Sequence, residues 1–259
     1  MGIITNATLK LHARPESQSA AMASFSTTKN AIKTVVEILQ NAIPIARIEF
    51  LDQLSMKICN AYSKTNYVEE PTLFMEFHGS PLAIDEQIKI VTEITDSNHG
   101  SKLTYATTEE DRNQLWKARH DMHWAIHDYK PMFKYHGTDI CVPISQLPKS
   151  IEFCQNYFAA LGVSAPIMGH VGDGNLHCNI YFDPDIHPND PIQFDHVRAA
   201  EKLALHAIGL GGTCTGEHGI GLGKKNLLQK QFGPSGIKTM SMIKNALDPL
   251  NIMNPGKIL

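Results

Sequence analysis

Residues 166–182 read PIMGHVGDGNLHCNIYF, and this stretch decides the fold of the second half of the chain. Two apolar runs flank a polar corner at residues 172–175, and Asp-Gly and Gly-Asn pairs between such runs are a strong hairpin signal. His170 closes the first run and His177 begins the second, so a hairpin brings the two imidazoles together. Both could be ordinary surface turn histidines. The surrounding glycines, which let a backbone approach a ligand closely, favour a binding site.

Strand and helix patterns alternate on both sides of this hairpin. Apolar residues at helical spacing predict helices at residues 28–41 and 81–98, whereas 45–51 and 72–78 have strand character. Further strands are predicted at 1–12, 19–26, 101–106 and 139–144, and further helices at 52–61, 107–128, 145–161, 191–209, 224–231 and 234–247. Thr107 and Ser145 are the predicted caps of two of these helices. The pattern predicts an α+β fold, with a mainly antiparallel sheet, helices packed on one side and ferredoxin-like pieces.

Composition excludes several classes of function. The chain has 259 residues, enough for one large or two small domains, and its 42% hydrophobic content is typical of a globular protein. A net charge of −3 lacks the excess of basic residues that is typical of proteins that bind nucleic acid. No apolar run approaches the roughly 20 residues of a membrane span. Five widely spaced cysteines without a C-x-x-C pair indicate free thiols in a reducing compartment.

A second glycine-rich stretch, residues 211–225, reads GGTCTGEHGIGLGKK. It is not a phosphate-binding loop, because His218 stands where that motif needs its first glycine and Lys225 stands where it needs Ser or Thr. The chemistry is instead expected at Glu217 and His218, which are framed by glycines.

Together with the hairpin histidines, Glu217 makes a set of two imidazoles and one carboxylate. His170, His177 and Glu217 suit Zn²⁺ or a similar divalent ion, with positions left open for a substrate. His218, the next residue, is then a candidate base. The alternative for Glu217 is a helix-capping or solvated carboxylate.

Two cations invite a functional interpretation. Arg119 shares a helix face with Leu115 and Met122, where a guanidinium needs an anionic partner. Lys134 precedes the predicted strand at 139. From the residues alone, an internal salt bridge or a head group in water is the preferred interpretation for each. A clamp for a small carboxylate ligand is the functional alternative.

Seven segments carry a resemblance to a known family. They are ARIEFLD, PTLFMEFHG, LWKARHD, TDICVPISQLP, GHVGDGNLHCNIYFDP, GGTCTGEHGIGLGKK and LDPLNIMNPGKIL, in order from residue 46 to 259. The chain thus resembles the C-terminal half of the FAD-linked oxidases that are similar to vanillyl-alcohol oxidase. Within that group it is similar to the mitochondrial D-lactate dehydrogenases of the cytochrome c type. Residues 2–14 resemble the strand that leaves the family's FAD-binding half.

The resemblance implies specific roles. His170, His177 and Glu217 would hold a divalent metal, Zn or Mn, that binds the hydroxyl and carboxylate of a D-2-hydroxy acid. His218 would take the hydroxyl proton, while hydride passes from Cα to the flavin. By the same resemblance, Asn179 would lie in the pocket that holds the substrate. Arg119 and Lys134 would bind the substrate's carboxylate, and Asn254 would lie in a C-terminal tail that returns to the flavin. His123 replaces a threonine, which disfavours a dicarboxylate substrate.

The resemblance also implies a domain organisation. Residues 1–15 would be the remnant of the strand leaving the FAD-binding domain, and residues 16–259 the substrate and metal domain. The FAD-binding half is absent before Met1, so we expect this chain alone to be inactive. The full-length enzyme would be mitochondrial and pass electrons to cytochrome c. A flavin-free metal-dependent hydrolase and a non-catalytic remnant are the alternatives.

Overall fold

The computed structural model describes residues 2–106, 108–186 and 195–259. Its strands are β1 (Ser17–Ser24), β2 (Ile45–Leu51), β3 (Thr72–Gly79), β4 (Thr104–Ala106), β5 (Lys134–Gly137), β6 (Ile140–Cys141), β7 (Ile167–Gly169) and β8 (Asn175–Phe182). Its α-helices are α1 (Thr28–Gln40), α2 (Gln53–Ser63), α3 (Pro81–Ser97), α4 (Glu109–His120), α5 (Met122–Tyr129), α6 (Leu147–Ala160), α7 (His196–Gly209) and α8 (Lys225–Leu247). None of these helices is long and apolar enough to cross a membrane.

The strands form one sheet in the order β4-β1-β3-β2-β7-β8-β5, with β6 also paired to β8. The pairs between the named strands are antiparallel. The first four strands, with α1 and α3, have the β-α-β-β-α-β order of a ferredoxin-like unit, and α2 is inserted between β2 and β3. The predicted α+β class and its ferredoxin-like piece are confirmed.

Helices cover both faces of the sheet, which corrects the one-sided packing expected from the sequence. On one face, Ala21, Leu73 and Phe50 pack in a core with α1, α3, α6 and α7. On the other face, Met22 and Phe74 pack with α2, α4 and α5. The central strands β1 and β3 are buried along nearly their whole length, so alternate residues supply two cores rather than one.

The predicted hairpin is present as β7 and β8. Met168 pairs with His177 across the ladder, and the turn follows at residues 170–174. Gly174 has φ +80, and a Cβ there would lie 2.0 Å from the carbonyl oxygen of Val142. Only glycine therefore allows the turn to approach β6 so closely.

Several local predictions differ from the structure. The predicted strand at 1–12 is absent from the described residues. Residues 2–14 are exposed, form no helix or strand, and are paired with none of the described strands. The predicted helix at 107–128 is two helices, and α5 turns at Asp121 to bury Met122 against the second core. Thr107 lies outside the described residues, and Thr108 caps α4 by accepting a hydrogen bond from the Asp111 amide.

Strand β5 was not predicted, and the predicted strand at 139–144 is the two-residue β6. Ser145 does not cap α6, because it lies within a 3₁₀ turn, Ile144–Gln146, that leads directly into the helix. The start of the predicted helix at 191–209 lies outside the described residues, and its described part begins at His196. The break predicted between the last two helices is a kink at Gly233, which has φ 67.

Candidate metal and substrate site

The candidate site lies on the sheet face that carries α2, α4 and α5. His177 and Asn179 are alternate residues of β8, and both are buried on this face. His170 follows β7 directly, and its ring centroid lies 5.7 Å from that of His177. The hairpin thus brings the two predicted histidines together.

His170 is held by a buried carboxylate of β2. Its Nδ1 lies 2.7 Å from Glu49 Oε1, and the other Glu49 oxygen accepts a hydrogen bond of 2.8 Å from Arg119. Burial alone raises the pKa of Glu49, but the His170 hydrogen bond and the Arg119 charge outweigh it and lower the pKa. The hydrogen bond to Glu49 in turn raises the pKa of His170. An ionised Glu49 can only accept, so the His170 proton lies on Nδ1.

His177 is fixed in the same way by a backbone carbonyl. Its Nδ1 donates to the Thr138 carbonyl oxygen at 3.0 Å. A carbonyl cannot donate, so this contact also places the ring proton on Nδ1. Burial lowers the pKa of His177, which favours the neutral ring. In its neutral form each histidine therefore presents an Nε2 lone pair, and a metal ion would compete with a proton for that of His170.

The two Nε2 atoms face one oxygen of Glu217. Glu217 Oε1 lies 3.2 Å from His177 Nε2 and 3.5 Å from His170 Nε2. Three possible metal-ligand atoms therefore converge on one point. Atoms bound to tetrahedral zinc at about 2.1 Å are separated by roughly 3.4 Å. The donor set and its spacing fit a divalent metal, and the histidines carry the carboxylate and carbonyl partners typical of metal-binding imidazoles.

Asp139 fixes the backbone of the loop that carries Glu217. The Asp139 carboxylate is buried and accepts hydrogen bonds from the amides of Gly216 and His218 at 3.0 and 2.8 Å. Burial alone raises the pKa of Asp139, but the hydrogen bonds from Thr215 and His218, with the charge of Lys224, hold it well below its usual range.

Asp139, His177 and His218 also come close enough to form a second candidate metal group. That group is less suited to a metal, because both oxygens of Asp139 already accept several hydrogen bonds. Asp139 is better placed to support the loop than to bind an ion.

His218 and Asn179 lie beside the candidate metal group. The His218 ring stacks on His177 at 5.2 Å, and its Nε2 is 3.8 Å from Glu217 Oε1. The His218 side chain is exposed, so it is open to a ligand. Asn179 is buried, and its Nδ2 has no hydrogen-bond partner among the described residues. An unpaired buried amide on this face is suited to a polar ligand.

The two predicted cations differ in placement. Arg119 is buried in an ion pair with Glu49, which is the internal salt bridge that the sequence favoured. Its Nε is buried and unpaired within the described part of the chain. Lys134 is exposed and is the first residue of β5, which precedes the predicted strand at 139. Strand alternation places Lys134 on the opposite face from Tyr135 and Asn179, so the structure does not bring it to the histidines.

Asn254 lies in the exposed C-terminal tail, which is hydrogen-bonded to the glycine-rich loop at residues 211–225. The Ile258 amide donates to the Gly221 carbonyl at 2.8 Å. Asn254 and Gly219 line the same cleft of about 270 Å³. The tail therefore lies next to the loop that carries Glu217 and His218.

Two functional residues had little signal in the sequence. Glu49 stands out only as a carboxylate inside a buried strand, and Asp139 only as an acidic residue at the start of one. Their partners His170 and Thr215 are 121 and 76 residues away in the chain, so local patterns cannot reveal the contacts.

Comparison with known families identifies the family of this chain. Residues 14–258 match the family described as FAD linked oxidases, C-terminal domain. The chain belongs to this family. The described fold agrees with it: a 4-ethylphenol oxidase from Gulosibacter chungangensis is similar over 96% of this chain and 55% of its own, with a TM-score of 0.68 at 16% identity.

Curated relatives are similar over the whole chain. A probable mitochondrial D-lactate dehydrogenase of Danio rerio is 47% identical over 100% of this chain and 52% of its own length. A mitochondrial D-lactate dehydrogenase (cytochrome) of Arabidopsis thaliana is 36% identical over 100% of this chain and 45% of its own. A glycolate oxidase subunit of Bacillus subtilis is 32% identical over 100% and 54%. The chain spans about half the length of these relatives.

Proposed function

We propose that this chain is the substrate- and metal-binding half of an FAD-dependent D-2-hydroxy acid dehydrogenase, with D-lactate as its substrate. The observation that carries the proposal is the convergence of His170, His177 and Glu217 on one point, with both Nε2 lone pairs aimed at it. D-lactate and glycolate, the acids in the relatives' names, are both small 2-hydroxy acids.

In this proposal, His170, His177 and Glu217 hold a divalent ion, Zn or Mn, which supplies Lewis acidity that lowers the pKa of a bound hydroxyl. His218, stacked on His177 and open to solvent, takes the hydroxyl proton. A bound flavin would supply the acceptor for the hydrogen on Cα and its electron pair, so that loss of this hydride and of the hydroxyl proton to His218 would leave D-lactate as pyruvate.

Asn179 is proposed to orient the substrate. Its unpaired Nδ2 is a buried donor two residues along β8 from His177, on the same face. A carboxylate oxygen of the substrate would satisfy it. Arg119 is proposed to act mainly through its ion pair with Glu49, and its Nε, which has no partner among the described residues, is a further available donor.

The flavin is proposed to be held mainly by a domain outside this chain. The family is FAD-linked, and the relatives are about twice as long as this chain. Within this chain, the cleft that contains Asn254 and Gly219 is the proposed contact with the cofactor. The relatives' names support a mitochondrial enzyme, and the cytochrome in one of them supports cytochrome c as electron acceptor.

Binding of the substrate can be tested without the flavin. The chain is loaded with Mn²⁺, and water-proton relaxation is followed as D-lactate is added. We expect D-lactate to displace metal-bound water and lower the relaxation enhancement, with acetate as the control that lacks the 2-hydroxyl. The variant Asn179→Asp should bind Mn²⁺ but weaken D-lactate. No response to D-lactate in a Mn²⁺-loaded chain would refute the proposed substrate.

A further inference from the structure

One buried carboxylate organises the whole loop from Thr215 to His218. Asp139 lies between β5 and β6 and is 1% exposed. Its Oδ2 accepts from the Thr215 hydroxyl at 2.6 Å, the Gly216 amide at 3.0 Å and the His218 amide at 2.8 Å. The Glu217 amide lies 3.2 Å from both oxygens. Three successive amides therefore point at one anion.

The loop has the shape that such convergence requires. Successive amides that face one anion form a concave backbone nest, which curls the chain around the charge. Gly216 permits it, because a Cβ there would lie 2.3 Å from Asn175 Nδ2 and 3.1 Å from Asp139 Oδ1. Asn175, the first residue of β8, itself donates to Asp139 Oδ1 at 2.9 Å. Asp139 thus joins the loop to the strand that carries His177.

The two halves of the candidate metal site are held by different means. His170 and His177 belong to a hairpin whose register is set by ladder hydrogen bonds. Glu217 comes from an irregular loop, its side chain is 51% exposed, and its amide has Asp139 as its hydrogen-bond acceptor. The side chain that completes the site therefore depends on the contact between its backbone and Asp139.

We propose that Asp139 is the positioning residue that brings Glu217 to the Nε2 atoms of His170 and His177 and holds His218 against His177. Asp139 binds neither metal nor substrate in this role. The inference rests on the proposed metal site, so its test must separate a failure of the site from a failure of this residue.

The variant Asp139→Asn replaces one acceptor oxygen with an NH₂ donor that repels the backbone amides. We expect Zn²⁺ affinity to fall about 10–100-fold, the loss typical of residues that support metal ligands. The Co²⁺-loaded variant should give the absorption spectrum of Glu217→Gln, because each would leave two histidines without the carboxylate. A general loss of stability would not produce that shared spectrum.

A matched control is available elsewhere in the chain. Asp248 is also a buried carboxylate that accepts two backbone amides, those of Ile252 and Met253, and pairs with a lysine, Lys244. Asp248→Asn should leave Zn²⁺ affinity and the Co²⁺ spectrum unchanged.

The outcomes are distinct. If the wild-type chain binds neither ion, the proposed metal site fails. If it binds them and a folded Asp139→Asn variant keeps its affinity within twofold, the role of Asp139 is refuted. Should Asp139→Asn not fold, Thr215→Val decides, since it removes the 2.6 Å hydrogen bond to Asp139 together with only a longer, 3.3 Å contact to the Gly219 carbonyl. A loss of threefold or more supports the role, and unchanged affinity overturns it.

Discussion

Glu49 Oε1 lies 2.7 Å from His170 Nδ1, across 121 residues of chain. This contact fixes the ring proton on Nδ1 and turns the Nε2 lone pair toward Glu217. The second Glu49 oxygen is paired with Arg119. An Arg–Glu–His series, in which Arg119 and Glu49 are buried and His170 is half-buried, therefore links helix α4 to the candidate metal group.

The variant Glu49→Gln tests this link. We expect the loss of the carboxylate to weaken Zn²⁺ binding about 10–100-fold, because His170 loses the partner that sets its tautomer and orientation. Calorimetric titration measures the affinity. The control is Glu76→Gln in β3, whose buried carboxylate pairs with Arg47 and His78 in a similar series. Equal Zn²⁺ affinity in both variants would contradict a special role for Glu49.

Removing the cation should affect stability. Arg119→Met leaves one oxygen of the buried Glu49 carboxylate without its cation, while His170 still contacts the other, so we expect the free energy of unfolding to fall by about 3 kcal/mol in urea denaturation. The double variant Arg119→Met/Glu49→Gln removes the buried charge as well and should recover part of that loss. Strictly additive losses in the two single variants would show that the pair does not interact energetically.

The turn between β7 and β8 should tolerate no side chain at Gly174. Gly174→Ala combines a positive φ with a Cβ that would lie 2.0 Å from the Val142 carbonyl oxygen. We expect a loss of about 2–4 kcal/mol in unfolding free energy. Gly209→Ala at the end of α7, where a Cβ meets nothing within 4 Å, is the control and should be neutral or stabilising. A neutral Gly174→Ala would rule out this turn geometry.

Asp52 should make stability depend on pH. Asp52 caps α2, and burial raises its pKa to about 6. Because the unfolded carboxyl loses its proton near pH 4, the buried group costs stability progressively as pH rises from about 4 to 6. Asp52→Asn keeps an acceptor for the Ser55 amide and avoids that cost.

Relative to the wild type, Asp52→Asn should therefore gain on the order of 2–3 kcal/mol between pH 4 and pH 7, measured as urea unfolding at each pH. Asp195, the exposed N-cap of α7, is the matched control, since its substitution relieves no burial. A stability difference for Asp52→Asn that stays constant across this range would contradict the raised pKa.

The sequence was informative where the chemistry is local. The hairpin, His170, His177 and the Glu217-His218 pair follow from turn residues and glycines that are adjacent in the chain. The sheet face on which Lys134 lies could not be predicted, because β5 reads KYHG, which has no apolar period, so neither the strand nor its register was visible. A one-residue difference in register decides which face a side chain occupies.

The remaining structure depends on distant contacts. The sequence indicates the second helical layer, α2, α4 and α5, at one place only. Strands β1 and β3 have apolar residues at consecutive positions, which is typical of strands buried on both faces. Glu49 and Asp139 contact His170 and Thr215, which are 121 and 76 residues away in the chain. Their sequence positions alone do not distinguish them from solvated carboxylates.

The central claim is that His170, His177 and Glu217 form one metal site, and metal content after equilibration with Zn²⁺ and removal of free ion tests it most directly. We expect one ion per wild-type chain and none in His177→Ala, with the same unfolding midpoint for the two metal-free proteins within a few degrees. Equal metal content in the wild type and in a folded His177→Ala variant would contradict it.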